Sequence, residues 1–487
     1  MAAPCFQEEE MWTKVKRIKS VFPYLFFIYI SLFVFCSQIG GDELWNYNFA
    51  RNICEGGTPY VDFSILQTPL SAYISAFFLA VFGKKLIVFR VMSAILLVST
   101  ASMLYKICVK ISKEKNLAFI LTIIIESLSL IVWIYNYNNL IVFLVLVIFY
   151  LDLIKIEKNI KNDIFIGLII GCCVLIKQST GGLLLVANIV ICIYDIVFEK
   201  KDKLRVWVRL GTSMIPGVLF IIYLLITGSL WAFWDYAVRG VGEFKHLYTI
   251  LELMESTSFG MILGIFPFMV IVLSSLSIFR NTSNISRRDH IMVLVFCILG
   301  GIVAYPLTDF SHLLAACVPY VICFVCCLNY KMSKLGNILG VAEAIFLGLI
   351  ITYAMVPDSE KYVISNLKYF QGIPIHIELA EAIEEVDNYI ISKDAENVNV
   401  LIADDSAVAY MIPLGRYNKD FDMLLVGNLG SQTIDDLLNQ DEKTIYLVRR
   451  DETDMGAQNH FELIHKIKNT YIKIGEVQHF DAYIKAK

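Results

Sequence analysis

The chain has 487 residues, 57% of them hydrophobic and only 18% charged, with a formal net charge of −4. A soluble globular protein is nearer a quarter charged. The apolar residues come in continuous runs rather than in alternation, which excludes a β-barrel and leaves a polytopic α-helical membrane protein.

Residues 1–20 form a short cytoplasmic N-terminus in which Lys14, Lys16, Arg17 and Lys19 precede an apolar run. No small-x-small cleavage site follows, so this run reads as a retained anchor rather than a signal peptide. Spans are expected at roughly 21–39, 86–106, 117–134, 139–154, 164–178, 181–198, 208–228, 257–279, 290–305, 312–329 and 335–355, about 11–13 in all if shorter stretches also cross. The basic links at 106–115, 155–161, 200–205, 280–288 and 331–334 then share the cytoplasmic side with the N-terminus. The links at 135–139, 231–248 and 306–312 are weakly charged or aromatic and fall outside, as does everything after 356. Residues 69–82 are apolar enough to cross, but a crossing there would invert every later loop. They are therefore expected as a juxtamembrane or re-entrant helix. The aromatic 231–248 link reads as an interfacial helix, with a lid over the outer cavity as the alternative.

From Pro357 onward there are 23 acidic and 13 basic residues, so the membrane part is basic and the remainder acidic. Strands at 398–403, 422–426, 444–448 and 472–480 alternate with helical stretches at 375–392, 433–439 and 461–470. This pattern predicts a C-terminal extracytoplasmic α/β domain over 357–487, following a membrane domain over 21–356. The turn at Gly427-Asn428-Leu429-Gly430 lacks the spacing and the Lys-Ser/Thr of a phosphate loop. None of the 12 cysteines falls in this domain. Most, such as Cys172 and Cys173, lie in apolar spans as small core residues. The Cys323/Cys326 pair has CxxC spacing, but with no second pair and no nearby His in sequence it reads as core too.

The chemistry concentrates in the first outer loop, residues 40–70. Asp42 and Glu43 lie just past the first span and Asp62 follows, framed by Trp45, Tyr47, Gly56-Gly57 and Pro59-Tyr60. Ionised carboxylates beside lipid are costly and are usually retained for function. One can serve as a general base, and Glu43 or Asp62 could instead hold a divalent cation, Mg²⁺ or Mn²⁺.

This pattern is Asp-Glu, an aromatic residue, Gly-x-Pro-Tyr-x-Asp, and Pro-Leu opening a hydrophobic helix, then Phe-Gly and an Arg. It resembles the GT-C membrane glycosyltransferases, in particular the protein O-mannosyltransferases and the aminoarabinose transferases of lipid A. Gly167-x-x-x-Gly171 leading to Leu175-x-Lys177-Gln178 is similar to their Gly-rich helix ending in Lys, and Tyr305-Pro306 with Asp309 and His312 to a later outer-loop motif. The sequence departs from many relatives at Gln67-Thr68, where they carry a charged residue or His before the proline corner. That argues against a metal ligand at this corner.

The resemblance implies a polyprenyl-phosphate sugar donor and an acceptor hydroxyl on a lipid, polysaccharide or protein, with no nucleic acid involved. Asp42 would act as base and Glu43 would assist it. The donor phosphate would meet Lys84, Lys85, Arg90 and Lys177. Asp62, Gln67, Gln178, Asp309 and His312 would contact substrate. Transfer would be a single inverting displacement. Two other classes remain. A flippase for lipid-linked sugars would need matched inverted halves, which the sequence lacks. A membrane scaffold would need only a few spans.

Overall fold

The computed structural model describes residues 20–154, 159–200, 202–243, 258–301, 309–328, 333–403, 407–416, 430–438, 443–450 and 458–486. Among them, seven helices are long and apolar enough to cross a membrane. These are α4 (Leu86–Ser112), α6 (Tyr137–Ile154), α8 (Gln178–Val197), α9 (Lys203–Ile226), α11 (Gly260–Arg280), α13 (Phe310–Cys327) and α14 (Lys334–Ala354). An eighth arises if α1 (Ser20–Cys36) and α2 (Gly41–Cys54), which meet at 87°, are one broken span. Three further expected spans fall on shorter helices, α5 (Lys115–Leu130), α7 (Ile160–Ile176) and α12 (Arg287–Gly300), and the single turn α10 (Leu230–Phe233) lies between α9 and α11. The short α3 (Leu70–Phe82) has 13 residues. At ~1.5 Å per residue it reaches about 20 Å, short of the ~30 Å hydrocarbon core.

The bundle is drawn together by small residues. On α7, a Cβ at Gly167 would overlap Thr212 and the Arg209 carbonyl of α9, and one at Gly171 would overlap Ser213 and Pro216. The Gly-x-x-x-Gly face therefore lets α9 lie directly against α7. Gly181 of α8 meets the backbone of Cys173 and Val174 with equally little room. The α7–α8 hairpin can close only because that residue has no side chain.

A buried charge network ties the opposite ends of these helices. Arg209 pairs with Asp152 at 2.8 Å, and Arg288 pairs with Asp152 at 3.0 Å and with Asp195 at 2.7 Å. Each guanidinium faces a carboxylate, which is the condition under which buried charges persist.

After α14 the chain forms a two-stranded antiparallel ribbon, β1 (Tyr362–Ile364) with β2 (Pro374–His376). It then builds a four-stranded sheet of order β3-β4-β6-β5, from β3 (Asn399–Ile402), β4 (Thr444–Arg449), β5 (Tyr471–Val477) and β6 (Phe480–Lys485). The β3–β4 pair is parallel and the others are antiparallel. Alternate residues face opposite sides of the sheet. Val400, Ile402, Ile445 and Leu447 pack with Ile383 and Val386 of the Ile377–Asp394 helix. Leu401, Tyr446 and Val448 pack with Leu463 and Ile467 of the Gln458–Thr470 helix. Helices thus cover both faces, as the alternating pattern predicted. The single strand expected at 472–480 is instead a hairpin that turns at Gln478 (φ 49°). The strand expected at 422–426, the Gly427 turn, Asp404-Asp405 and Tyr305-Pro306 lie outside the described residues.

Candidate active site

The elbow between α1 and α2 creates the site. Gly40 is extended (φ −106°, ψ 156°), and Gly41 opens α2 with Asp42 and Glu43 in its first turn. Successive residues on a helix point about 100° apart, so these two neighbouring carboxylates diverge. Asp42 faces a cavity of about 870 Å³. Glu43 faces the protein interior and is fully buried.

Glu43 meets Arg90 of α4 in a two-point ion pair, at 2.5 Å from Nε and 2.7 Å from one terminal nitrogen. The other terminal nitrogen of Arg90 donates to the Val34 and Ser37 carbonyls at 2.8 and 2.7 Å. Arg90 therefore pins the elbow, satisfying carbonyls left open where α1 ends and a carboxylate where α2 begins. The expected roles of Glu43 in catalysis or cation binding and of Arg90 at a donor phosphate are corrected accordingly. Each spends its charge on the other, away from the cavity.

The remaining expected cations divide. Lys84 pairs with Glu55 at 3.4 Å, and Lys85 donates to Gln371 Oε1 at 2.5 Å, so both are engaged on the C-terminal side of the elbow rather than on the cavity wall. Lys177 stands at the corner between α7 and α8, buried, and donates to Asn138 Oδ1 at 3.0 Å. Asn138 lines the cavity. Lys177 also interacts electrostatically with Asp42 and Asp309.

Of the expected substrate contacts, Asp309 lines the cavity, and His312 stands behind it, bonded to its carboxylate. Asp309 caps α13, accepting from the His312 amide at 2.8 Å, and its side chain meets His312 Nδ1 at 2.8 Å. These bonds hold the Asp309 carboxyl down at about 2 despite its burial. Burial raises Asp42 above the ordinary carboxylate range and Asp309 adds to the rise, while His312 and Lys177 pull it back.

Asp62, Gln67 and Gln178 do not reach the cavity wall. Asp62 accepts from the Thr58 amide at 2.7 Å and closes its own turn. Gln67 is buried and its carbonyl accepts from the Tyr60 hydroxyl at 2.7 Å. Gln178 is a clamp: its amide nitrogen donates to the Leu66 and Ala237 carbonyls at 2.8 and 2.6 Å, and its oxygen accepts from the Thr68 amide at 3.1 Å. Thr68 Oγ1 in turn donates to the Val174 carbonyl at 2.8 Å. The proline corner is thus fastened to α7. Glu43 is taken up by Arg90 and one Asp62 oxygen by the Thr58 amide, and among the described residues no group of three His, Cys, Asp or Glu could hold a metal ion.

The cavity also uses residues that the sequence did not single out. Asn136 caps α6 by accepting from the Asn139 amide at 2.9 Å, which turns Asn138 and Asn139 toward the cavity. Trp133 joins Trp45, which the sequence placed in the loop's framing, as aromatic wall, and Asp358, Lys361 and Tyr362 line the cavity from the root of the C-terminal domain. An amide-rich loop with flanking aromatics suits a sugar, whose hydroxyls need hydrogen bonds and whose ring needs an apolar face. That Asn-rich 136–139 stretch was the available signal.

Residues 66–231 match the family of dolichyl-phosphate-mannose-protein mannosyltransferases. The matched segment includes Lys177 and the proline corner but not Asp42. No curated protein matches the chain. Among solved structures, the chain is similar to the crystal structure of ArnT from Cupriavidus metallidurans bound to undecaprenyl phosphate. The TM-score is 0.62 over 94% of this chain and 97% of that one, at 9% identity. At that identity the likeness is one of fold: a multi-pass membrane protein of the GT-C architecture.

Proposed function

We propose that this GT-C-fold membrane protein transfers a sugar from a polyprenyl-phosphate donor to an acceptor hydroxyl on the extracytoplasmic side. The observation that carries the reading is Asp42, held by the elbow on the wall of a cavity of about 870 Å³ that is rich in amides and aromatics. The family match over residues 66–231 and the shared fold with a protein bound to undecaprenyl phosphate support the donor class.

The step is a single displacement. Asp42 accepts the acceptor hydroxyl's proton as its oxygen attacks the anomeric carbon. The bond from that carbon to the phosphate oxygen breaks, and the electron pair leaves with the polyprenyl phosphate. One displacement inverts the anomeric centre. A base works best when its pKa is near the working pH, and burial moves Asp42 in that direction. Asp309 and His312, already bonded to each other, would orient sugar or acceptor hydroxyls at the rim.

The test is mass spectrometry of lipids co-purified with wild type and with Asp42→Asn. The variant is expected to retain a polyprenyl-phosphate sugar that wild type consumes. If neither protein holds a polyprenyl species, the donor reading is overturned and a flippase or scaffold becomes the better account.

A further inference from the structure

Resting on that reading, we propose that Lys361, at the root of the C-terminal domain, is the cation that binds the donor's phosphate. The three lysines and the arginine that the sequence suggested for this task are engaged by protein and stand off the cavity wall: Lys84 by Glu55, Lys85 by Gln371, Arg90 by Glu43 and Lys177 by Asn138. A phosphate still needs a positive partner in a cavity whose wall carries the carboxylates of Asp42, Asp309 and Asp358. Among the described residues on that wall, Lys361 is the one positively charged side chain. It is exposed, and within the described residues its ammonium has no hydrogen bond or ion pair.

Its position suits a lipid-borne anion. Lys361 follows the end of α14, and the cavity wall beside it is Ala354, Met355, Val356 and Pro357. The preceding turns of α14 face outward, with Leu349 44%, Ile350 48% and Tyr353 82% exposed. A polyprenyl chain lying along this apolar helix would bring its phosphate to the level of residue 361 and its sugar into the cavity toward Asp42. The backbone is fixed there: Lys361 N–H donates to the Asp358 carbonyl at 3.0 Å, and the Lys361 carbonyl accepts from the Ile377 amide at 2.9 Å. Next to it, the Tyr362 hydroxyl accepts from Gln38 Nε2 at 2.6 Å, joining the strand to the elbow. A lysine at this point also stabilises the charge that gathers on the phosphate as the sugar leaves.

The test measures undecaprenyl phosphate binding to the purified full chain in lipid nanodiscs, for wild type, Lys361→Ala, Lys361→Arg and Lys85→Ala. Losing one charge-assisted contact is expected to weaken binding by about tenfold or more. Lys361→Arg should hold most of the affinity and Lys85→Ala all of it. Monodisperse elution and unchanged thermal unfolding establish that each variant is folded, which the exposure of both lysines favours. If wild type binds and Lys361→Ala binds equally well, the assignment of Lys361 is overturned and the donor reading stands. If wild type does not bind undecaprenyl phosphate at all, the donor reading itself is overturned and the role of Lys361 with it.

Discussion

Asp42 and Glu43 are adjacent in sequence and face opposite ways, one to the cavity and one to the interior, because a helix turns about 100° between them. Asp42→Asn is expected to lower the turnover rate by about 10²–10⁴-fold while the chain stays folded and keeps its donor. The pH dependence has a definite sign. The proposed base, Asp42, works only when ionised, and burial raises its pKa. Activity should therefore fall with decreasing pH through a value above the ordinary carboxylate range, and the residual rate of Asp42→Asn should lack this acid limb. Glu43 has a different signature. Removing one partner of a buried ion pair costs about 3–5 kcal/mol, so Glu43→Gln or Arg90→Met should lower the thermal unfolding temperature in detergent. The paired change Glu43→Leu with Arg90→Met should recover part of that loss. A Glu43→Gln variant of wild-type stability that has lost all transfer would contradict this assignment. That the Asp-Glu pair sits where the first span ends was legible in the sequence. Its division was not, because which carboxylate faces inward depends on the 87° elbow, and no residue spacing encodes that angle.

At the scale of elements, the Gly-rich approach to Lys177 has a packing reason as well as a family likeness. Gly167 and Gly171 admit α9, Gly181 lets α8 fold back, and the corner between them presents Lys177 to Asn138. Gly181→Ala would force a Cβ into the backbone of Cys173 and Val174, whereas Gly182 has nothing within 4 Å. The first substitution is expected to depress both unfolding temperature and transfer, and Gly182→Ala to leave both unchanged. Equal behaviour of the two would refute the close-packing account. Long apolar helices and the strand–helix alternation of the C-terminal domain were readable because periodicity reports them directly. The β5–β6 hairpin was not. Its turn is Gln478-His479, without the Asn-Gly or Asp-Gly that marks such turns, so one strand was read where there are two. The C-terminal ribbon escaped notice for a similar reason, since its strands have three residues each.

At the scale of the molecule, we propose from the basic links that the N-terminus lies inside and the C-terminal domain outside. Cysteine labelling from the outer face should reach an introduced Ser359→Cys and spare Ser333→Cys, and the reverse would invert the proposed topology. The domain is also joined to the bundle. Phe370, Ile373, Val408 and Ile412 share one apolar cluster with Tyr47 and Ala50 of α2. Arg51 donates to the Arg416 carbonyl at 3.1 Å, and the Leu86 amide donates to the Tyr369 carbonyl at 2.8 Å. These contacts link distant segments through side-chain fit, which composition and periodicity do not report.

The helix that carries Asp42 at its first turn is gripped by the domain near its last, about 14 Å away at ~1.5 Å per residue. Residues 357–487 are thus no detachable module. A chimera that exchanges them alone between homologous proteins should lose transfer, and one that exchanges residues 41–54 as well should regain it. Recovery in the first chimera would show that the graft tolerates a foreign α2. Otherwise Arg51 and the backbone at residue 416 that accepts from it, 365 residues apart in the chain, have to be inherited together.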